Sequence, residues 1–256
     1  MNGVAIAVER RGPVAWVTLS AAQGRWLSPE LALQLADTLA TLADEPAVRV
    51  AVLRAEGDLL ARDWDRAALT AGPDLPEGVR RLSETLQALA TVALPVLVLL
   101  EGEVRDAGLA LALVCDVRLA ATTARFALTG SESGRLPLGG TVARLARLAG
   151  RAAALRMLLT GEALTAAEAL ACGLVSGVWP QERLAAEAER LAGVIAARGP
   201  IAVRYAKEAV TYGMEMPLEQ ALRYETDLTI ILQTTADRAE GVRAFIEKRP
   251  PRFSGT

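Results

Sequence analysis

Residues 95–129 decide the fold of this chain, and they read PVLVLLEGEVRDAGLALALVCDVRLAATTARFALT. The unbroken apolar run at 96–100 predicts a strand that is covered on both faces. Gly102 and Gly108 punctuate a short charged segment, which predicts a turn. The following residues, 107–115, are apolar on every side and rich in alanine, which predicts a fully buried helix packed close to its neighbours.

A helix that begins at such a turn has a possible chemical use. Its first amide N–H groups have no acceptor within the helix and point outward. Donors arranged in this way can hold an oxyanion. The simpler alternative is a core helix after a loop, with no ligand, and residues 95–129 alone leave both interpretations open.

The same stretch resembles the crotonase superfamily, the enoyl-CoA hydratases and isomerases. Residues 95–116 align without a gap to that family's proline-valine strand and to its pattern N-G-x-x-x-G-G-G-x-E-L-A-L-x-C-D. The resemblance continues at 126–141, 199–210 and 240–253, so it covers nearly the whole chain. It implies an α/β fold with a crotonase-like ββα superhelix core at 1–198. A C-terminal helical trimerisation region would follow at 199–256, within a homotrimer or a dimer of trimers.

Composition narrows the class of protein. A chain of 256 residues, 52% of them hydrophobic, can bury one large core. The net charge of −2 gives no attraction to nucleic acid or to a membrane surface. No apolar run reaches the roughly 20 residues of a spanning helix. The first residues lack a secretion pattern, and Cys115 and Cys172 are interpreted as buried thiols. A cytoplasmic location is therefore expected.

The chain contains no histidine. This excludes serine and cysteine triads that need an imidazole base, and most zinc chemistry, so no metal site is expected. Any proton transfer must use carboxylates, lysine, tyrosine or water. The resemblance adds no cofactor, because the CoA thioester would itself be the substrate or ligand.

Periodicity and punctuation predict the remaining elements. Ser28 and Pro29 predict the start of a helix that runs to about Ala43, and Thr165 with Glu168 predicts a capping box. The other predicted strands are 14–19, 49–53, 117–120 and 174–179. The other predicted helices are 75–93, 151–159, 180–197, 200–212, 217–233 and 235–247.

The resemblance also implies an oxyanion site. Two backbone N–H groups in the family bind the thioester carbonyl and stabilise the enolate, and they correspond here to Asp63 and Ala107. An alanine still donates its amide. Arg62, however, occupies a glycine position of the family and cannot cheaply take positive φ. The alternative for this segment is a charged surface loop.

The family's hydratases hold and activate water with two glutamates, and this chain has Ala110 and Gly130 at those positions. Because each general acid or base contributes roughly 10²- to 10⁴-fold, ordinary hydration is expected to be severely impaired. Leu138 stands where some isomerases carry an aspartate. Three acidic residues are candidate substitutes, or else ordinary solvated loop charges: Asp63, Asp106 and Glu132.

Two lysines match family positions that help to bind the phosphates of CoA. They are Lys207 and Lys248, and the alternative for both is an exposed lysine on an amphipathic helix. The expected substrate-binding residues are therefore these two lysines together with Arg62, Ala110, Gly130 and Leu138.

The resemblance implies a protein that binds an acyl-CoA thioester. If it is catalytic, isomerase, lyase or hydrolase chemistry through an enolate is expected, without the two-glutamate water site. The alternative is a non-catalytic acyl-CoA-binding protein or a structural subunit of the same fold.

Overall fold

The computed structural model describes residues 5–20, 26–57, 60–65, 75–130 and 134–256. In chain order its strands are β1 (Ala5–Arg11), β2 (Val14–Ser20), β3 (Trp26–Leu27), β4 (Val50–Ala55), β5 (Asp63–Trp64), β6 (Val96–Leu100), β7 (Glu103–Arg105), β8 (Val117–Ala121), β9 (Arg125–Ala127), β10 (Leu164–Thr165) and β11 (Gly177–Trp179). Its helices are α1 (Pro29–Ala43), α2 (Leu75–Ala90), α3 (Asp106–Val114), α4 (Thr141–Thr160), α5 (Ala166–Ala171), α6 (Gln181–Ala196), α7 (Pro200–Gly213), α8 (Leu218–Gln233) and α9 (Ala236–Ile246).

The main sheet has six strands in the order β1-β2-β4-β6-β8-β11. The β1–β2 hairpin is antiparallel, and every other neighbouring pair is parallel. Two small sheets accompany it, β10-β9-β7 and β3-β5. The main sheet is largely parallel and is covered by helices, and the chain ends in three further helices. This arrangement confirms the predicted α/β fold.

Strand β6 is buried on both faces, as its sequence predicts. Leu97 and Leu99 belong to a cluster with three small or apolar residues of α6. Val96, Val98 and Leu100 belong to the larger cluster on the opposite side, which includes residues of α1, α2 and α3. Because successive side chains alternate between faces, this continuous apolar run is what a doubly covered strand requires.

The predicted helix starts are confirmed where a capping side chain specifies them. Ser28 Oγ accepts a hydrogen bond from the Leu31 amide at 3.1 Å, and Pro29 is the first residue of α1. At α5, Thr165 and Glu168 form both hydrogen bonds of the capping box. Each bond satisfies an amide that the helix itself leaves unpaired.

Several predicted bounds are wrong, and tertiary pairing explains the differences. The predicted turn after Gly102 contains strand β7, because residues 103–105 pair with β9. Helix α4 begins at Thr141 rather than 151 and crosses a kink at Gly150, where φ is 81°. The predicted strand 174–179 is reduced to β11, since Leu174 and Ser176 donate their amides to Ala169 and Arg118 outside the sheet ladder.

The two cysteines differ. Cys115 is buried, and burial raises the pKa of its thiol to about 12. Cys172 is half-buried and stands just after α5, so its prediction as a buried thiol is wrong.

The last three helices, α7 to α9, carry large apolar side chains on the surface of the single subunit. Leu218 is 75% exposed and Phe245 is 85% exposed. No α-helix among the described residues is long and apolar enough to cross a membrane. A short link at 197–199 joins α6 to α7 and includes the boundary predicted at 198, which stays a prediction.

Candidate active site

Helix α3 lies at the centre of the fold, and all of its residues from Ala107 to Val114 are buried. Within the described chain, the N-cap residue Arg105 makes no side-chain hydrogen bond to the first turn. The amide of Ala107 lies in the first turn of α3, where no carbonyl of the helix is placed to accept from it. At the other end Arg118 donates to the carbonyls of Ala112 at 3.4 Å and Cys115 at 2.6 Å.

Arg118 is a structural residue that the sequence did not reveal. Its guanidinium also donates to the Leu174 carbonyl at 2.7 Å, and the residue is only 6% exposed. Burial lowers the pKa of Arg118. A cation at the C-terminal end of α3 is favourably placed against the helix dipole, so Arg118 stabilises the helix whose opposite end carries Ala107.

The segment 60–65 lies directly on α3 at Gly108. A Cβ atom added to Gly108 would be 2.6 Å from the carbonyl oxygen of Ala61 and 3.1 Å from its nitrogen. On its other side the segment is held by β3, where Asp63 pairs with Trp26 and the Asp65 amide donates to Leu27 at 2.8 Å. The fold therefore brings together the two segments that contain the predicted amide donors.

A small cleft of about 20 Å³ opens beside these segments. It is lined by Asp63, Trp64, Asp106, Thr129, Gly130, Arg135 and residues 136–138. Predicted site residues Asp63, Gly130 and Leu138 thus lie together, while Ala107 and Ala110 are buried in α3 and are not part of the lining. Arg62 is exposed next to Asp63. Glu132 lies outside the described residues.

Asp106 is held firmly in this cleft. Its Oδ1 accepts a hydrogen bond from the Thr129 amide at 2.9 Å, and its Oδ2 accepts one from Thr129 Oγ1 at 2.5 Å. Its φ is 41°, a left-handed value that few residues other than glycine adopt. The interpretation of Asp106 as a solvated loop charge is therefore wrong.

The carboxylate of Asp63 is also engaged, since its Oδ1 accepts a hydrogen bond from the Trp64 amide at 2.8 Å. The residue is half-buried and reaches the cleft. Its predicted part in catalysis stays a prediction, and so do the roles predicted for Arg62, Ala107, Ala110, Gly130 and Leu138.

The two candidate CoA lysines have different surroundings. Lys207 Nζ lies 2.7 Å from Asp116 Oδ2 and 3.0 Å from the Leu94 carbonyl oxygen, and its side chain is only 11% exposed. Its ammonium is committed to these partners, so the alternative of an exposed helical lysine is wrong. Lys248 is exposed, but it follows the end of α9 with φ of 54° and does not lie on the helix.

Within the described ranges, no three side chains of histidine, cysteine, aspartate or glutamate cluster in a way that could hold a metal ion.

Comparisons with known proteins identify similar chains over nearly their full length. The model of the enoyl-CoA hydratase/isomerase family matches residues 9–256. The (E)-benzylidenesuccinyl-CoA hydratase of Thauera aromatica is 35% identical over 254 residues, which are 98% of this chain and 99% of that protein. The 2,3-dehydroadipyl-CoA hydratase of Escherichia coli is 34% identical over 252 residues, 98% of each chain.

Solved structures agree with these matches. An enoyl-CoA hydratase from Bacillus anthracis superposes with a TM-score of 0.91 at 31% identity, and the match covers 98% of this chain and 99% of that one. A second, from Geobacillus kaustophilus, gives a TM-score of 0.92 at 29% identity, with 100% of this chain and 98% of that chain covered.

Proposed function

This chain belongs to the enoyl-CoA hydratase/isomerase family, and from that premise we propose that it binds an acyl-CoA thioester and forms an enolate from it. The backbone amides of Asp63 and Ala107 would hold the thioester oxygen. The candidate reactions are isomerase, lyase or hydrolase chemistry that runs through this enolate. Efficient hydration of the two-glutamate kind is not proposed, because Ala110 and Gly130 carry no carboxylate.

One observation supports this proposal above the others: the backbone of 60–65 lies directly on the start of α3 at Gly108. An oxyanion site needs hydrogen-bond donors that are close together and fixed before the substrate arrives. Contact at Gly108 brings the two segments together, and the β3–β5 pairing fixes one of them. Burial around Ala107 would strengthen a hydrogen bond made there.

A second candidate is a non-catalytic acyl-CoA-binding or structural subunit of the same fold. It is favoured by the absence of both hydratase carboxylates, since Ala110 and Gly130 occupy their positions.

A panel of CoA thioesters tests binding and turnover separately. It should include crotonyl-CoA and the two substrates named by the relatives above. A thioester that binds should raise the melting temperature by about 5–10 °C at one hundred times its Kd, whereas the matching free acid should not. Mass spectrometry of the same mixtures then reports turnover. Binding without turnover of any thioester would favour the non-catalytic subunit, and no shift with any of them would contradict the proposal.

We further propose that the chain assembles as a homotrimer or a dimer of trimers through α7 to α9. Exposed apolar surface of this extent usually marks an interface. Sedimentation should show an oligomer, and Phe245→Asp should shift it toward smaller species. Leu33→Asp, at an exposed leucine on α1, is the matched control and should change nothing. A stable monomer at micromolar concentration would contradict the assembly.

We also propose that the exposed Lys248 contacts the phosphates of CoA. A cytoplasmic location remains a prediction based on the sequence.

A further inference from the structure

A pocket of about 350 Å³ lies at the opposite end of the main sheet from the cleft beside α3. Its lining includes Arg49 directly before β4 and Pro95 directly before β6, whereas Asp63 and Asp106 of the cleft come after those strands. The two strands are parallel, and at about 3.3 Å per residue the ends of β6 are roughly 16 Å apart. We refer to this separate pocket as the edge pocket.

The walls of the edge pocket are largely apolar and come from two parts of the chain. Val48 and Leu94 are buried and line it from the core, and Ile201 and Val203 line it from the first turn of α7. Apolar walls with a few polar groups, around a volume of about 300–1,000 Å³, are typical of small-molecule sites. The edge pocket therefore suits a ligand with an apolar body.

Two arginines also line the edge pocket, Arg49 from the core and Arg204 from α7. Among the described residues the contacts of both groups are with uncharged partners. Arg49 Nη2 lies 3.4 Å from the Phe253 carbonyl oxygen, and the Arg204 guanidinium lies 5.9 Å from the ring centroid of Tyr205. Neither arginine therefore has a carboxylate that balances its charge.

The acidic residues of the lining leave an excess of positive charge. Glu45 is already paired with Arg10, whose Nη2 and Nε lie 2.6 and 2.9 Å from its oxygens. Asp44 is exposed and, within the described ranges, forms no ion pair with either arginine of the pocket. The N-cap residue Gly199 has no side chain that could accept from the first amides of α7, which adds to the positive potential. An anion would neutralise this excess.

We propose that the edge pocket binds a small carboxylate with an apolar body. The carboxylate accepts hydrogen bonds from Arg49 and Arg204, because guanidinium groups match carboxylates in both charge and geometry. The apolar body packs on the walls and is removed from water. A bound ligand therefore connects the core to α7. This site does not depend on the proposed function.

The edge pocket is also separate from the surface assigned to assembly. The large exposed apolar side chains of α7 begin at Val210, which is more than one helical turn beyond Arg204. A second copy of the chain that docks through α7 to α9 would thus leave the first turn of α7 accessible. Sedimentation of the arginine variants checks this separation.

Octanoate is the probe, and NMR titration into the full chain gives its Kd. For a ligand of about ten heavy atoms we expect a Kd on the order of 1 mM. Octanamide has the same shape without the charge and should bind about tenfold more weakly. Inorganic phosphate has the charge without the apolar body and should also bind more weakly. Free acids at the submillimolar concentrations of the thioester panel would leave the edge pocket largely empty.

Three variants test the residues. Arg204→Gln should weaken octanoate binding by about tenfold or more, since a charge-assisted hydrogen bond is lost, and so should Arg49→Gln. Ala93→Trp keeps both arginines but fills the pocket from an exposed position in its lining, so it should abolish binding. Arg198→Gln, at an exposed arginine outside the lining, is the matched control and should bind octanoate normally.

Two results would overturn the site. One is an octanoate affinity in Arg204→Gln within about twofold of the unsubstituted protein; a simultaneous change in sedimentation would assign Arg204 to an interface between copies. The other is octanamide or inorganic phosphate binding as tightly as octanoate. Failure of every CoA thioester to bind would contradict the proposed function and leave the edge pocket unaffected.

Discussion

Gly108→Ala is expected to lower turnover by about 10²- to 10³-fold and to destabilise the protein. The new methyl group would be 2.6 Å from the Ala61 carbonyl oxygen, well inside contact distance. That atom belongs to the backbone and cannot rotate away, so the segment 60–65 must move off α3. Overpacking of this kind costs about 1–3 kcal/mol. Displacing the Asp63 amide would remove one oxyanion donor, worth about 10²- to 10³-fold in kcat.

Thermal unfolding and turnover of a thioester identified by the panel together check this prediction. Gly193→Ala on α6 is the matched control, because nothing lies within 4 Å of its added Cβ. Alanine within a helix should there stabilise the protein by up to about 1 kcal/mol. Unchanged turnover in Gly108→Ala would show that the segment 60–65 is not part of the site.

Much of the fold could be predicted because its main signals are local. The continuous apolar run of β6 reports burial on both faces, and Ser28 and Thr165 mark helix starts through hydrogen bonds to amides three residues away. Strand β7 could not be predicted in this way. It is only three residues long and exists because it pairs with β9, more than twenty residues later.

The candidate site, like the fold, could be predicted only in part. Register within the family pattern predicted which residues would gather, and Asp63, Gly130 and Leu138 do line one cleft. Register could not predict the clamp between Asp106 and Thr129, which are separated by 23 residues. The available signal was an aspartate at a glycine position of the pattern, since aspartate tolerates positive φ better than most residues do.

Replacement of Lys207 by methionine is expected to destabilise the protein strongly while leaving acyl-CoA binding intact. The side chains of Lys207 and Asp116 are only 11% and 25% exposed, and their charged atoms lie 2.7 Å apart. Asp116 also accepts a hydrogen bond from the Val96 amide at the start of β6. Removing one partner of a buried pair costs roughly 3–5 kcal/mol. The lower end is expected, because Asp116 keeps the Val96 amide and some contact with solvent.

The measurements are the free energy of unfolding and the Kd for a thioester, compared with Lys248→Met. That control removes an exposed lysine and should leave stability unchanged, although it should weaken binding if Lys248 contacts the phosphates of CoA.

Because most of the cost in Lys207→Met comes from leaving Asp116 unpaired, the double variant Lys207→Met with Asp116→Asn should be less destabilised than the two single losses summed. Full stability combined with weak acyl-CoA binding in Lys207→Met would instead assign this lysine to the ligand.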